Sequence, residues 1–301
     1  MKEAAVIVSV FSIDRANDVM RCIESIKKQT VLPKEIIVVL DPDEDLIDFY
    51  KEQLDDSVKI VVSTNFGLSF ARNAGVMNSQ TEIVVFVDDD AVADERWLEN
   101  LLRNYDDPSV IGVGGRIDPL WHRGNPGWFP KELYWIIGCS YEGLPTKKSA
   151  VRNPIGCNMS FRRNVIEKTG YFNTSFGRVG NNLAGHDDTE ISVRATSKFL
   201  GAKILYDPGA VVFHRVQRSR LTLRYIMKRS FNEGLSKAEL RNQKLYNSNA
   251  LITEQNYLQG LLLNGILKKL SLNDGLKNIR QIVILSLSVP LVLFGYVVGR
   301  C

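Results

Sequence analysis

Three aspartates in a row, Asp88-Asp89-Asp90, directly follow the apolar run 83–87. Adjacent carboxylates repel one another unless a cation or hydrogen-bond donors compensate their charge. At the end of a buried strand, that compensation is naturally a hard divalent ion, Mg²⁺ or Mn²⁺, itself coordinated by phosphate oxygens. A solvated acidic turn is the alternative, and it suits an ordinary loop better than the mouth of a sheet. A second acidic pair, Asp187-Asp188, stands at a helix start. It could take up a proton, or it could merely favour the positive end of the helix dipole. Asp41 follows the apolar run 36–40 and is placed to accept hydrogen bonds from a base or a ribose. In Asn65-Phe66-Gly67-Leu68-Ser69-Phe70-Ala71-Arg72-Asn73-Ala74-Gly75, Arg72 could pair with a diphosphate, or be an incidental charge at a helix start. Two common phosphate cradles are missing. The first apolar run leads into Phe11-Ser12-Ile13-Asp14-Arg15, which has no glycine, so there is neither a G-x-G-x-x-G turn nor a P-loop.

The elements that must carry these residues are legible from two alternating periods. Mostly apolar runs of strand length at 6–10, 36–40, 58–62 and 83–87 alternate with helical spacing at 19–26, 46–54, 68–77 and 97–105. That alternation predicts α/β architecture with a mainly parallel sheet, whose ligands bind beyond the carboxyl ends of the strands. Between residues 118 and 154 the pattern breaks into a Pro- and Gly-rich stretch carrying Trp121, Trp128 and Trp135. Such a stretch is either a covered core loop or a site that meets an amphipathic surface. After His214 the chain turns helical and basic, with Arg215, Arg218, Arg220, Arg224, Lys228, Arg229, Lys237, Arg241 and Lys244 against only Glu233 and Glu239. A solvated helical face or an anionic lipid surface would both suit it.

Composition narrows the partners. The 301 residues are 45% hydrophobic, enough for a large core, and 38 basic against 34 acidic residues leave a charge of only +4, which does not point to nucleic acid. Cys22, Cys139, Cys157 and Cys301 lack the spacing of a zinc or redox motif, so a reducing compartment is the simpler reading. The N-terminal apolar run is too short for a signal peptide. Residues 281–299 contain no charge and as a helix would span about 28 Å, close to the hydrocarbon thickness of a bilayer. Lys268, Lys269, Lys277 and Arg280 precede this span and favour keeping the large N-terminal part in the cytoplasm. The expectation is one C-terminal transmembrane anchor in the cell membrane, the alternative being a buried helix of a soluble domain.

Taken together, Asp41, Asn65-x-Gly67, Ala71-Arg72-Asn73-x-Gly75 and Asp88–Asp90 resemble the nucleotide-sugar half of family 2 glycosyltransferases of GT-A fold. The second half is similar too: Gly156-Cys157-Asn158-Met159-Ser160-Phe161-Arg162-Arg163, Gly170-Tyr171-Phe172-Asn173, His186-Asp187-Asp188-Thr189-Glu190, Tyr206-x-Pro208 and Val211-Val212-Phe213-His214 follow in order. A narrower likeness, through Gly114-Gly115-Arg116, Trp128-Phe129-Pro130, Tyr134-Trp135 and Val151-Arg152-Asn153, is to archaeal glycosyltransferases acting on dolichyl-phosphate-linked sugars.

The resemblance implies a GT-A domain over 1–215 (nucleotide-sugar half 1–116, acceptor half 117–215). A basic membrane-proximal segment, 216–280, and the anchor, 281–299, would follow. It also implies roles. Asp41, Arg72, Asp88 and Asp89 would hold the nucleotide-sugar; Asp90 and His214 would bind a divalent cation, Mn²⁺ or Mg²⁺. Asp188 would be the catalytic base, while Asn158, Trp128, Trp135 and Asp187 would lie on the acceptor side. Where the family usually has Glu-Asp, this chain has Asp187-Asp188. The implied reaction is inverting transfer of one sugar, from a UDP-sugar to a dolichyl-phosphate-linked saccharide at the membrane. Transfer to another surface polysaccharide or glycolipid, and a catalytically silent membrane-tethered subunit, are the rival readings.

Overall fold

The computed structural model describes residues 2–122, 124–177, 185–242, 269 and 275–300, in two compact units. Unit 1 comprises Met1–Asp118 with Pro145–His214, and unit 2 comprises Pro119–Leu144 with Arg215–Cys301. Lys244, Lys268 and the segment 250–268 of the basic region lie outside the described residues.

The sheet contains nine strands among the described residues: β1 (Ala4–Val10), β2 (Glu35–Leu40), β3 (Lys59–Val62), β4 (Ile83–Asp88), β5 (Ala91–Ala93), β6 (Val110–Trp121), β7 (Ser149–Val151), β8 (Asn158–Arg162) and β9 (Lys203–Val216). Their order is β3-β2-β1-β4-β8-β6-β9-β5, with β7 paired to β9. The expected parallel arrangement holds for β3-β2-β1-β4, with α1 (Ala16–Lys27), α2 (Glu44–Gln53) and α3 (Leu68–Asn78) as crossovers. Beyond β4 the sheet becomes mixed, since β8 runs antiparallel to both β4 and β6, and β9 antiparallel to β5 and β7.

The continuous apolar runs have a physical reason. Ile7, Ile37, Val39, Val84 and Phe86 are buried together with Ala71, Val76, Met159, Phe161, Phe172 and Ile191 in one core. Burying each large aliphatic or aromatic side chain there contributes roughly 1.5–3 kcal/mol. Helix starts are locally encoded as well. Asp43 caps α2 by accepting a hydrogen bond from Leu46 N at 2.9 Å, a contact worth about 1 kcal/mol. The register aligns the carboxyl ends of the parallel strands: Val10 lies opposite Leu40, and Ser9 opposite Asp88. The remaining helices of this unit are α4 (Trp97–Leu102), α5 (Arg163–Thr169) and α6 (Asp187–Lys198).

Unit 2 differs from the expected boundaries, because the Trp-rich stretch belongs with the C-terminal segment and not with the strands that flank it. Side chains of α7 (Leu223–Asn242), α8 (Gly275–Val298) and the turn before α7 account for this. Gln281 Nε2 donates to Gly127 O at 2.7 Å, Arg220 Nη1 donates to Ile137 O at 3.2 Å, and the Arg229 guanidinium lies 5.8 Å from the Trp135 ring. Phe129 and Tyr134 are buried, in edge contact with Trp128 and Trp121 respectively. Helix α8 is long and apolar enough over Asn278–Val298 to cross a membrane. It packs on α7 with almost no side chain between them: a Cβ on Gly234 would meet Val292 O at 2.1 Å, and one on Gly295 would meet Phe231 O at 2.1 Å.

Candidate active site

The residues singled out in unit 1 converge at the carboxyl ends of β1, β2 and β4. Asp88 closes β4 and is partly exposed, whereas Asp89 and Asp90 turn inward and are buried. Asp89 accepts a hydrogen bond from Arg15 Nη1 at 2.6 Å, and the same nitrogen lies 3.3 Å from Asp90 Oδ2. Burial, with Asp90 alongside and against the pull of Arg15, pushes the Asp89 carboxyl up to about 7. Arg15 therefore supplies part of the compensation that three adjacent acids require. Asp89 faces this arginine inside the protein.

Two strand pairings bring distant residues to the same place. Because β5 pairs with β9 so that Ala91 faces His214, the imidazole arrives beside Asp90, with Nε2 3.2 Å from Oδ1. Because Val87 faces Asn158, the start of β8 delivers Gly156 and Cys157 to the end of β4. Asp88, Cys157 and His214 thus offer a carboxylate oxygen, a thiol and an imidazole nitrogen within 4.8 Å of one another. The oxygen and nitrogen donors suit a divalent cation such as Mn²⁺, whereas the sulfur is a soft donor that such an ion does not favour. Asp89 Oδ2, moreover, is buried without a hydrogen-bond partner among the described residues. Asp90, expected from sequence to bind the cation with His214, lies beside that imidazole.

Arg72 links the two acidic clusters. It is 3% exposed, its Nη1 lies 2.5 Å from Asp187 Oδ2, and its Nη2 lies 3.9 Å from Asp88 Oδ1 and donates to Gly156 O at 3.1 Å. Burial opposes its charge, but Asp187, Asp88 and Asp188 outweigh that and raise its pKa. Arg72 thus bridges Asp187 and the strand-end Asp88. Asp187, also bonded by Ser69 Oγ at 3.3 Å, is correspondingly its buried counterion. A Cβ on Gly156 would stand 2.8 Å from Arg72 Nη2, which accounts for the glycine before Cys157.

Asp188, in the first turn of α6, is held by both oxygens: Oδ2 accepts from Gly156 N at 2.9 Å, and Oδ1 accepts from Thr189 N at 2.6 Å and Thr189 Oγ1 at 3.2 Å. Burial, then the neighbouring Asp187, raises its pKa despite His186 and Arg72. A partly exposed carboxylate, fixed in position and raised in basicity, is equipped to accept a proton. Asp41 stands past β2, accepts from Gly67 N at 3.4 Å, and has a pKa raised by burial. Gly67 starts α3 with φ of 124°, a conformation open to glycine and strained for other residues, which explains the Asn-x-Gly pattern.

Asn158 is fully buried and works as a clamp. Its oxygen accepts from Trp97 Nε1 at 2.8 Å, while its amide nitrogen donates to the carbonyls of Arg116 and Ala210, both at 3.0 Å. That inward engagement uses both amide hydrogens on backbone carbonyls. Asn73 has a similar task, exchanging two 2.9 Å bonds with the backbone of Phe172. Trp128 and Trp135 belong to unit 2, where both are partly exposed. Sequence reasoning missed Arg15 and Cys157. Arg15 was visible only as the basic residue after the first strand, and Cys157 only as the neighbour of Asn158.

Residues 6–170 match the family model described as glycosyl transferase family 2. The chain belongs to glycosyltransferase family 2. It is 30% identical over 99% of its length to the glucosyl-dolichyl phosphate glucuronosyltransferase of Haloferax volcanii, covering 96% of that protein. It is 25% identical to the succinoglycan biosynthesis protein ExoM of Rhizobium meliloti, over 67% of this chain and 62% of that one. Among solved structures it is similar to GalNAc-T7, crystallised with UDP, GalNAc and Mn²⁺, with a TM-score of 0.54 and 14% identity; the match covers 92% of this chain and 58% of that one. That likeness is one of fold, GT-A. This family 2 member is a glycosyltransferase whose acidic strand end, arginine bridge and α6 carboxylates form one connected cluster in unit 1.

Proposed function

We propose that this glycosyltransferase moves one sugar from a nucleotide donor, a UDP-sugar, to a dolichyl-phosphate-linked saccharide, with inversion at the anomeric carbon. The observation that carries the reading is the fixed Asp188 carboxylate, tied through Gly156 and Arg72 to the acidic end of β4. Asp188 takes the proton from the acceptor hydroxyl as that oxygen attacks, and a single displacement needs no covalent intermediate. Asp41 is positioned to accept hydrogen bonds from the base or ribose. Asp88 contacts the nucleotide, and Asp90 and His214, with Asp88 beside them, would hold the Mn²⁺ or Mg²⁺ ion. That ion, when bound, would neutralise charge growing on the leaving diphosphate. Arg15 and Arg72 hold the carboxylates in place and offset part of their mutual repulsion.

The acceptor assignment draws on the Haloferax relative, whose name specifies a dolichyl phosphate substrate and with which this chain aligns almost end to end. Attachment to the cell membrane through α8, with the catalytic unit on the cytoplasmic side, agrees with the basic residues Lys268, Lys269, Lys277 and Arg280 before and within its first turns. The test is nucleoside diphosphate release by the full-length protein in detergent, with Mn²⁺ or Mg²⁺, a panel of UDP- and GDP-sugars, and short dolichyl-phosphate glycans. Release with one UDP-sugar, dependent on lipid acceptor and lost in Asp188→Asn, is the expected result. Full turnover by Asp188→Asn would overturn the assignment of the base, and lipid-independent release would overturn that of the acceptor.

A further inference from the structure

Helix α8 has two unlike faces. Ile284, Leu285 and Ser288 are buried within unit 2. On the other face Ile279, Val283, Leu287, Phe294 and Val298 recur every four to seven residues, each between 41 and 59% exposed. Helix α7 carries a shorter stripe of the same kind, Leu223 and Met227, at 51 and 40% exposed, followed one turn later by Phe231. The two stripes meet, since the Phe231 and Phe294 rings lie 5.8 Å apart. Together they form one apolar surface on two helices.

The helices run in the same direction. Phe231 touches Phe294, Gly234 abuts Val292 and Gly295, Ala238 abuts Gly299, and Arg241 Nη1 donates to Tyr296 OH at 2.6 Å. The part of α7 beside the end of α8 therefore carries Glu233, Lys237, Glu239 and Arg241. If α8 stood across a bilayer, these charges would be carried into the hydrocarbon or the tight Gly234–Gly295 contact would have to break. Lying in the plane of the interface avoids both. The charges bordering the apolar surface, Arg224, Lys228, Arg280 and Arg300, are all positive, and neither 223–231 nor 275–300 contains an acid. Positive flanks complement anionic lipid headgroups, and an amphipathic helix with such flanks lies along a membrane.

We propose that α7 and α8 form a monotopic membrane-binding face, with α8 seated in the plane of the lipid interface instead of crossing the bilayer as its composition alone suggests. This rests on the membrane attachment proposed above. Cys301, the last residue, is a natural reporter, because Cys22, Cys139 and Cys157 are buried. Right-side-out and inside-out vesicles from cells making the full-length chain would be treated with a membrane-impermeant maleimide, with Cys301→Ser as the control, and in parallel with protease. The expected result is that Cys301 is labelled only from the side on which the catalytic unit is digested. Labelling of Cys301 only from the opposite side would overturn the in-plane arrangement while leaving transfer and attachment standing. Absence of the protein from washed membranes would overturn this inference and the attachment together, whereas the donor-release assay reports on transfer independently of both.

Discussion

Replacing Arg72 with methionine keeps much of the side chain's volume and removes its charge. Both partners of the Arg72–Asp187 pair are buried, at 3 and 5% exposed, and 2.5 Å apart. With the guanidinium gone, Asp187 retains, among the described residues, the 3.3 Å bond from Ser69, and Gly156 O loses its 3.1 Å donor. Breaking a buried pair from one side costs about 3–5 kcal/mol, because the remaining charge is left uncompensated. A domain's whole stability is roughly 5–15 kcal/mol, so about a fifth or more of it is at stake. The pairing makes a second, sharper expectation. Removing both charges, as in Arg72→Met with Asp187→Leu, recovers much of the loss, since a buried pair replaced by apolar groups is often neutral. Guanidinium denaturation of the full-length wild type, both single variants and the double variant would give the coupling, expected at about 3 kcal/mol or more. If Arg72→Met costs less than about 1 kcal/mol, or the two losses simply add, the argument that each charge compensates the other is wrong.

Four further outcomes are expected. Asp188→Asn should lower kcat by about 10²–10⁴-fold, as loss of a general base does, while nucleotide binding measured by calorimetry stays within the wild-type range. Because burial raises the Asp188 pKa, the acidic limb of the wild-type kcat profile should fall at a higher pH than an ordinary carboxylate would give; a limb at the usual carboxylate value would refute the raised basicity. Asp207 is buried, and although burial alone would raise its pKa, bonds from Asn104 and Gly209 N with the charges of Lys148 and Arg103 hold it below the ordinary value. Its contribution to stability is therefore present above the unfolded pKa and lost as pH falls through the folded one, so the destabilisation of Asp207→Asn, measured by denaturation, should shrink in acid. Gly234→Val should separate α7 from α8 at a cost of about 1–3 kcal/mol or more, seen as a lower melting temperature, since its Cβ would overlap Val292 O.

The alternation of apolar runs with helical spacing, the strand-end position of Asp41 and Asp88, and the helix start at Asp187 are all local properties, and they were readable from the chain. A buried strand must be continuously apolar and a helix start favours acids, whatever the rest of the molecule does. Register is different in kind. That His214 reaches Asp90, that Cys157 comes within 4.8 Å of Asp88, and that Arg15 neutralises Asp89 depend on antiparallel pairings and a crossover joining residues 69 to 124 positions apart. No periodicity within a window reports such partners. Arg72 and Asn158 carry the same lesson: residue type marked them as polar groups worth attention, but only the packed structure decided that they face inward, onto Asp187 and Trp97. The C-terminal helix marks the limit most clearly. Its composition sets that it must be covered by something apolar, while the glycine contact with α7 decides that one face is covered by protein and the other left bare.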